Sequence, residues 1–249
     1  MNAKSVIIHI PHSATYIPPF IRQDILVSDE ELKQDILAFT DWRTRDLFTH
    51  ADFPNRVVYP VNRRVCDPER FRSDEDEEMA KIGIGVVYEK DAFLRPLRKP
   101  DALKRELMLQ LYYDRHHRNL TSAVEGRLKQ YGECLLVDGH SFPAEPLPYE
   151  PEQDNDRPDI CIGTCKGHTP LAMERRLVHF LEGFGLSVSL NYPYSGAIVP
   201  MRYLGDPRVK SIMVEINRGL YRKAEELSPA NGYARIKNMI GNLLNCLAV

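Results

Sequence analysis

No apolar run in this 249-residue sequence approaches the roughly 20 residues needed to span a bilayer, and no signal-peptide pattern opens it. Charge of either sign is also missing in excess: 33 Lys and Arg face 35 Asp and Glu, a formal net charge of −2. Such a balance creates no field to recruit nucleic acid or an anionic membrane, so neither is expected as a partner. Cysteine is sparse and unframed. The five thiols, Cys66, Cys134, Cys161, Cys165 and Cys246, are odd in number and lack a disulfide spacing, which predicts reduced thiols in a cytoplasm. Cys161 and Cys165 could form half of a zinc knuckle, but no second pair accompanies them and they read as packing residues. Repeats and low-complexity segments are absent as well. The length and an apolar fraction of 43% suit one α/β domain over residues 1–249.

Histidine is scarce, eight in all, yet two apolar runs end in the same His-Ser pair. One is Val6-Ile7-Ile8-His9-Ile10-Pro11-His12-Ser13; the other is Cys134-Leu135-Leu136-Val137-Asp138-Gly139-His140-Ser141. Continuous apolar runs of this length read as buried strands of a parallel sheet, and ligands of open α/β sheets bind beyond the carboxyl ends of such strands. Imidazole is the commonest protein ligand for transition metals. The pair therefore predicts a mononuclear metal site with His12 and His140 as its two histidine ligands.

The rest of the chain alternates strand and helix. Residues 5–10 form the first strand. Ser28-Asp29-Glu30-Glu31 is a capping box that starts a helix near Asp29, with Leu32, Ile36 and Phe39 as its apolar stripe. A second helical piece is expected from Asp41 through Phe48, where Asp41 reads either as a first-turn carboxylate or as a ligand. Arg56 to Val61 reads as a strand running into Asn62-Arg63-Arg64, and guanidinium groups there suit either capture of a carboxylate or a plain loop surface. Ser73 to Glu78 is an acidic loop. A long helix should cover Asp101 to Lys129, its stripe running Leu103, Leu107, Leu111, then Leu120, Val124, Leu128. The polar gap from Tyr113 to Arg118 faces solvent or reaches the site. Ala144 to Pro158 is a loop, and Pro158 to Thr164 a short strand. Thr169-Pro170 opens a helix with threonine as its cap, ended by Gly183 or Gly185. Ser187 to Leu190 and Val209 to Asn217 are strands, and Tyr233 to Leu247 is an amphipathic covering helix. Together these give a three-layer α/β/α sandwich with a mostly parallel mixed sheet.

Glu215 sits among apolar residues inside the last strand. A lone carboxylate there is costly to bury unless paired or protonated. It is either a partner of Arg218 or the general base beside an activated water; the two His-Ser strand ends favour the base.

With these residues in view, the chain resembles the N-formylglutamate amidohydrolases, within the zinc-dependent exopeptidase-like fold. The resemblance rests on His9-Ile10-Pro11-His12-Ser13, Asp41 with Thr44 and Leu47-Phe48, Asn62-Arg63, Asp138-Gly139-His140-Ser141, Pro158-Asp159-Ile160 with Ile162-Gly163-Thr164, Tyr194-Ser195-Gly196, and Glu215-Ile216-Asn217-Arg218. It implies one Zn2+ held by His12, Asp41 and His140, Glu215 and Arg63 as catalytic residues, and a substrate side formed by Asn62, Arg64, Ser141, Tyr194, Ser195, Gly196 and Arg218. The implied reaction is hydrolysis of the amide of a small N-acyl amino acid such as N-formylglutamate. One departure stands out: the glycine pair and arginine expected near the Tyr194 loop are replaced by Ala197 to Pro200, with Arg202 the nearest arginine. Two alternatives remain open, a cell-wall peptide amidase of the same fold and a metal-binding or interaction protein without catalysis.

Overall fold

The computed structural model describes residues 2–99, 101–221 and 232–248; parts of the expected 1–249 domain, 222–231 among them, lie outside these. Strand β1 (Val6–Ile10) is followed by a short helix α1 (Pro19–Arg22), helix α2 (Asp29–Phe39), the single turn α3 (Thr44–Leu47) and strand β2 (Arg56–Val58). Helices α4 (Ala102–Met108) and α5 (Asp114–Tyr131) are joined by one π-helical turn, Leu109–Tyr113. Then come β3 (Cys134–Phe142), β4 (Ile160–Thr164), α6 (Leu171–Gly183), β5 (Val188–Leu190), β6 (Val209–Asn217) and α7 (Tyr233–Leu247).

Among the described residues the sheet has the order β2-β1-β3-β6-β4-β5. All neighbours pair in parallel except β4 and β6, so the sheet is mixed. The central strands are buried on both faces, in keeping with the apolar runs Cys134 to Val137 and Ile212 to Val214 inside them. On one face Val6, Ile8, Leu135, Val137, Ile212 and Val214 pack against α3, α6 and α7. On the other, Ile7, Leu136 and Val209 pack against Leu120 and Val124 of α5. The expected three-layer sandwich is the observed one. No helix of the described residues is long and apolar enough to cross a membrane.

The capping box at Ser28 is formed in full: Glu31 N–H donates to Ser28 Oγ at 3.3 Å, and Ser28 N–H to the Glu31 carboxylate at 2.9 Å. Several expectations need correction. The helix over Asp41 to Phe48 contracts to Thr44–Leu47, and Arg43 before it has φ 65°, so Asp41 lies in a turn rather than opening a helix. The strand at Arg56 covers three residues; Tyr59 N–H still donates to Ile10 O at 3.0 Å, and the chain then turns. Thr169 is not the cap of α6; Pro170 holds that position, and Thr169 Oγ1 instead donates to Ser211 O at 2.6 Å. The leucine stripe of α4 faces outward, Leu103 being 85% exposed. Met108 and Leu109 are buried instead, and the π-helical turn adds the residue that brings His116, Leu120 and Val124 onto the buried face.

Candidate functional site

Side chains of a strand alternate between faces, and register aligns them across strands. His9 pairs with Asp138 between β1 and β3, and His140 pairs with Glu215 between β3 and β6. Alternation puts all four on the face that α5 covers, near the carboxyl ends of three adjacent parallel strands. Gly139 points the other way, where a Cβ would come within 2.9 Å of Ile10 and Phe48 side-chain carbons. Only glycine lets β3 seat this close to α3 and still aim Asp138 and His140 at the site.

Just past β1, Pro11 ends the strand and His12 turns into the same space. Its Nε2 lies 2.9 Å from Asp67 Oδ1, while its Nδ1 is buried without a hydrogen-bond partner. An Asp67 carboxylate can only accept, so His12 Nε2 donates to it and Nδ1 is the nitrogen that faces the other carboxylates. That nitrogen is 3.8 Å from Asp41 Oδ2. Asp41 is fixed by its own backbone N–H donating to His12 O at 3.0 Å. Its Oδ2 accepts from Ser141 N–H at 3.1 Å and lies 3.1 Å from His140 Nδ1.

Glu69 completes the ring, its Oε2 at 3.0 Å from His140 Nε2 and 4.0 Å from His12 Nδ1. Glu215 Oε1 stands 3.9 Å from His140 Nδ1, and its Oε2 is buried without a partner. The charges are lopsided. Asp41, Asp67, Glu69, Asp138 and Glu215 converge here, against the guanidinium groups of Arg63 and Arg70.

Burial opposes charge on His140, but Glu69, Asp138 and Glu215 prevail and hold its pKa well above the usual histidine range. Burial likewise works against the Asp41 carboxylate, yet the hydrogen bond from His140 and the nearby His12 keep its pKa low. Burial pushes the Glu215 carboxyl up to about 8, with Asp41 and Glu69 adding to the rise and His140 opposing it. A crowd of buried carboxylates around a histidine forced to hold an extra proton is an environment short of a cation. The donor set fits a divalent metal: His12, Glu69 and His140 each offer an atom within 4.8 Å of the others, and Asp41 touches both histidines.

The surrounding cavity of about 410 Å³ is lined by Arg63, Arg70, Ser141, Tyr194, Ser195 and Arg218 among others. Arg63 donates from Nε and Nη2 to Asp67 Oδ2 at 3.0 and 2.7 Å, and its guanidinium lies 4.3 Å from the centre of the Phe39 ring. Arg64 does not belong to the site. It is fully buried in a two-armed pair with Asp35 at 2.5 Å, because the turn after β2 swings neighbouring side chains apart. Asn62 is structural too, donating to Ala14 O at 2.8 Å and Thr40 Oγ1 at 3.2 Å. Gly196 is not part of the lining; with φ 93° it turns the Tyr194 loop, and its carbonyl lies where a Cβ on Gly163 would stand. Arg218 reaches the cavity wall but gives its arms to Thr40 O at 2.6 Å and Ala38 O at 2.7 Å, so it is not the partner of Glu215. The loop expected from Ala144 to Pro158 supplies Tyr149 and Glu150, and Tyr194 OH donates to Glu150 at 2.7 Å.

Sequence reasoning did not single out Asp67, Glu69 or Arg70, and left Asp138 outside the site. The available signal was the loop Arg63-Arg64-Val65-Cys66-Asp67-Pro68-Glu69-Arg70, where two acids flank a proline between arginines.

Comparison with known proteins bears on this geometry. The sequence model described as N-formylglutamate amidohydrolase matches residues 4–222. Among solved structures, the chain is similar to an N-formylglutamate amidohydrolase from Ralstonia eutropha JMP134, with a TM-score of 0.83 and 21% identity over 100% of this chain and 94% of that one. A gene product of Agrobacterium tumefaciens aligns with a TM-score of 0.66 and 17% identity, over 98% and 93% of the two chains. No curated protein sequence matches the chain.

Proposed function

The chain belongs to the N-formylglutamate amidohydrolase family, and from that premise we propose that it hydrolyses the amide of a small N-acyl amino acid, N-formylglutamate being the first substrate to test. The active unit is one amidohydrolase domain. His12, Asp41 and His140 hold a single zinc ion, and Glu215 is the general base. The observation that carries this reading is the convergence of His12 Nδ1 and His140 Nδ1 on Asp41 Oδ2, with Glu215 3.9 Å from His140. When bound, zinc supplies Lewis acidity, polarising the amide carbonyl and bringing a water's pKa toward about 7.

The chain's own groups do the rest. Burial first, then Asp41 and Glu69, holds the Glu215 carboxyl up at about 8, the range in which a group both takes up and releases a proton near neutral pH. It takes the proton of the attacking water and hands it to the departing amine nitrogen. Asp67 and Asp138 hold the two imidazoles in place. Arg63 spends Nε and Nη2 on Asp67, which leaves Nη1 for a substrate carboxylate. Arg70, whose Nε has no hydrogen-bond partner, is placed for a second carboxylate, as an acidic amino acid carries. Ser141, Tyr194 and Ser195 complete the wall. The five free thiols are in keeping with work in a reducing cytoplasm.

Metal analysis of the purified protein, paired with a panel of N-formyl and N-acetyl amino acids and cell-wall peptides, tests the reading. One equivalent of zinc and fastest cleavage of acyl amino acids with acidic side chains are expected. Cleavage of the cell-wall peptides alone would replace it with the amidase reading, and bound metal without any hydrolysis with a non-catalytic one.

A further inference from the structure

We propose that a second cavity, beside α4 and apart from the active site, binds a small monocarboxylate with an apolar tail, and that Arg98 holds its carboxylate. The cavity encloses about 520 Å³. Leu26, Val87, Arg98 and Met108 are among its lining residues, and no described residue lines both it and the cavity around His140. Its occupancy does not depend on what the enzyme cleaves.

A guanidinium offers five N–H donors and keeps its charge, so a buried one calls for carboxylates or several carbonyls around it. Arg98 is only 6% exposed, yet it is poorly supplied. Its Nη2 donates to the Arg64 backbone carbonyl. Its Nη1 reaches the Met108 sulfur at 3.3 Å, a weak acceptor, and its Nε is buried without a hydrogen-bond partner. The carboxylates that line the cavity are engaged elsewhere or face water. Asp24 pairs with Lys104 at 2.5 Å and Asp74 with Arg105 at 3.0 Å. Asp101 accepts from the N–H groups of Leu103 and Lys104 at 3.1 Å, and Glu89 is exposed. Burial, reinforced by the charge of Arg64, pushes the Arg98 pKa down to about 10, as befits a cation short of an anion.

The remaining walls set the ligand's class. With Lys104 and Arg105 already paired, one guanidinium is left to neutralise one carboxylate, and the four acids of the lining disfavour a phosphate dianion. Val87 and Met108 are apolar wall, and Leu26 continues it out to solvent, being 54% exposed. A carboxylate oxygen would take Nη1 from the Met108 sulfur, with the tail lying along these side chains.

Hexanoate and its neutral counterpart hexanamide, titrated calorimetrically into the full chain, test this. Hexanoate should bind roughly tenfold to a hundredfold more tightly, the reach of a charge-assisted hydrogen bond. Arg98→Met keeps the apolar stem, loses the charge and should abolish that preference. Leu26→Glu, a change at an exposed position, should weaken hexanoate binding by a similar factor. Arg63→Met, in the active-site wall, should leave it unchanged. Equal binding of the two probes, no hexanoate binding at millimolar concentration, or binding that survives Arg98→Met and vanishes in Arg63→Met would overturn the proposal. If Arg98→Met does not fold, the other two variants decide: loss in Leu26→Glu alone supports the second site, and loss in Arg63→Met alone refutes it.

Discussion

His140 and Glu215 face each other directly across β3 and β6, in register, with His140 Nδ1 3.9 Å from Glu215 Oε1. Neighbouring parallel strands hold the two side chains at one level, so neither relies on a loop for its place. The other groups of the site arrive on turns: His12 past β1, Asp41 past α2, Glu69 in the loop after β2. Rigid strand ends thus carry the proposed base and one histidine, while turns complete the cage around them.

Glu215→Gln keeps shape and removes the proton acceptor. The variant should bind zinc normally while kcat falls by on the order of 10²–10⁴, the usual contribution of a positioned acid–base group. Its Tm should hold or rise, since a costly buried carboxyl is replaced by a neutral amide and Arg218 is bound elsewhere. Kinetics and thermal melting on one protein check both halves; full activity would remove Glu215 from the mechanism.

Arg64 is tested through stability rather than through the substrate. Arg64→Met leaves the buried Asp35 without its partner, which should cost about 3–5 kcal/mol of stability. KM of the folded fraction should change little. The pair of changes Arg64→Met with Asp35→Asn should recover much of the loss, because no unpaired charge remains. Denaturant melts of the two proteins measure this, and an Arg64→Met variant of undiminished stability would contradict the pairing.

The sheet was legible because it leaves a strong local trace. Apolar runs at Val6 to Ile8, Cys134 to Val137 and Ile212 to Val214 read as buried strands of this kind, and the Ser28 capping box marks α2 to the residue. The α4 leucines misled because a four-residue spacing fits either side of a helix, and the inserted π-helical turn changes which side is buried. His12, His140 and Glu215 were readable because chemistry-bearing residues closed apolar strands. Asp67 and Glu69 were not, since a turn has no period and their partners lie 55 and 71 residues away in His12 and His140. Arg63 and Arg64 are adjacent and chemically identical; only the turn geometry sends one to the cavity and the other to Asp35.

Arg218 tests how far the site depends on its supports. It ties the end of α2 to β6 by donating to Thr40 O and Ala38 O, one and three residues from Asp41. Arg218→Gln cannot span both carbonyls and should loosen that turn. Zinc affinity should drop severalfold and stability by about 1–3 kcal/mol, from two buried acceptors losing their donors. An unchanged zinc affinity would mean that Asp41 is held by His12 O and Ser141 alone.

The last prediction separates the two carboxylates that could share the metal with His12 and His140. Asp41 reaches both histidines through one oxygen and receives Ser141 N–H, so its geometry is set by backbone on both sides. Glu69 hangs on a longer side chain, is partly exposed, and approaches His140 at Nε2, the nitrogen also held by Asp138. If His140 binds metal through Nδ1, Asp41 is the ligand and Glu69 an outer charge. Asp41→Asn should then lose most bound zinc, as His12→Ala and His140→Ala should, because a three-ligand site missing one becomes weak. Glu69→Gln should keep zinc near full occupancy. Metal analysis of the four purified variants, with circular dichroism to confirm folding, checks this directly. Zinc retained in Asp41→Asn but lost in Glu69→Gln would transfer the ligand role to Glu69 and require His140 to bind through Nε2, the nitrogen 3.0 Å from Glu69 Oε2.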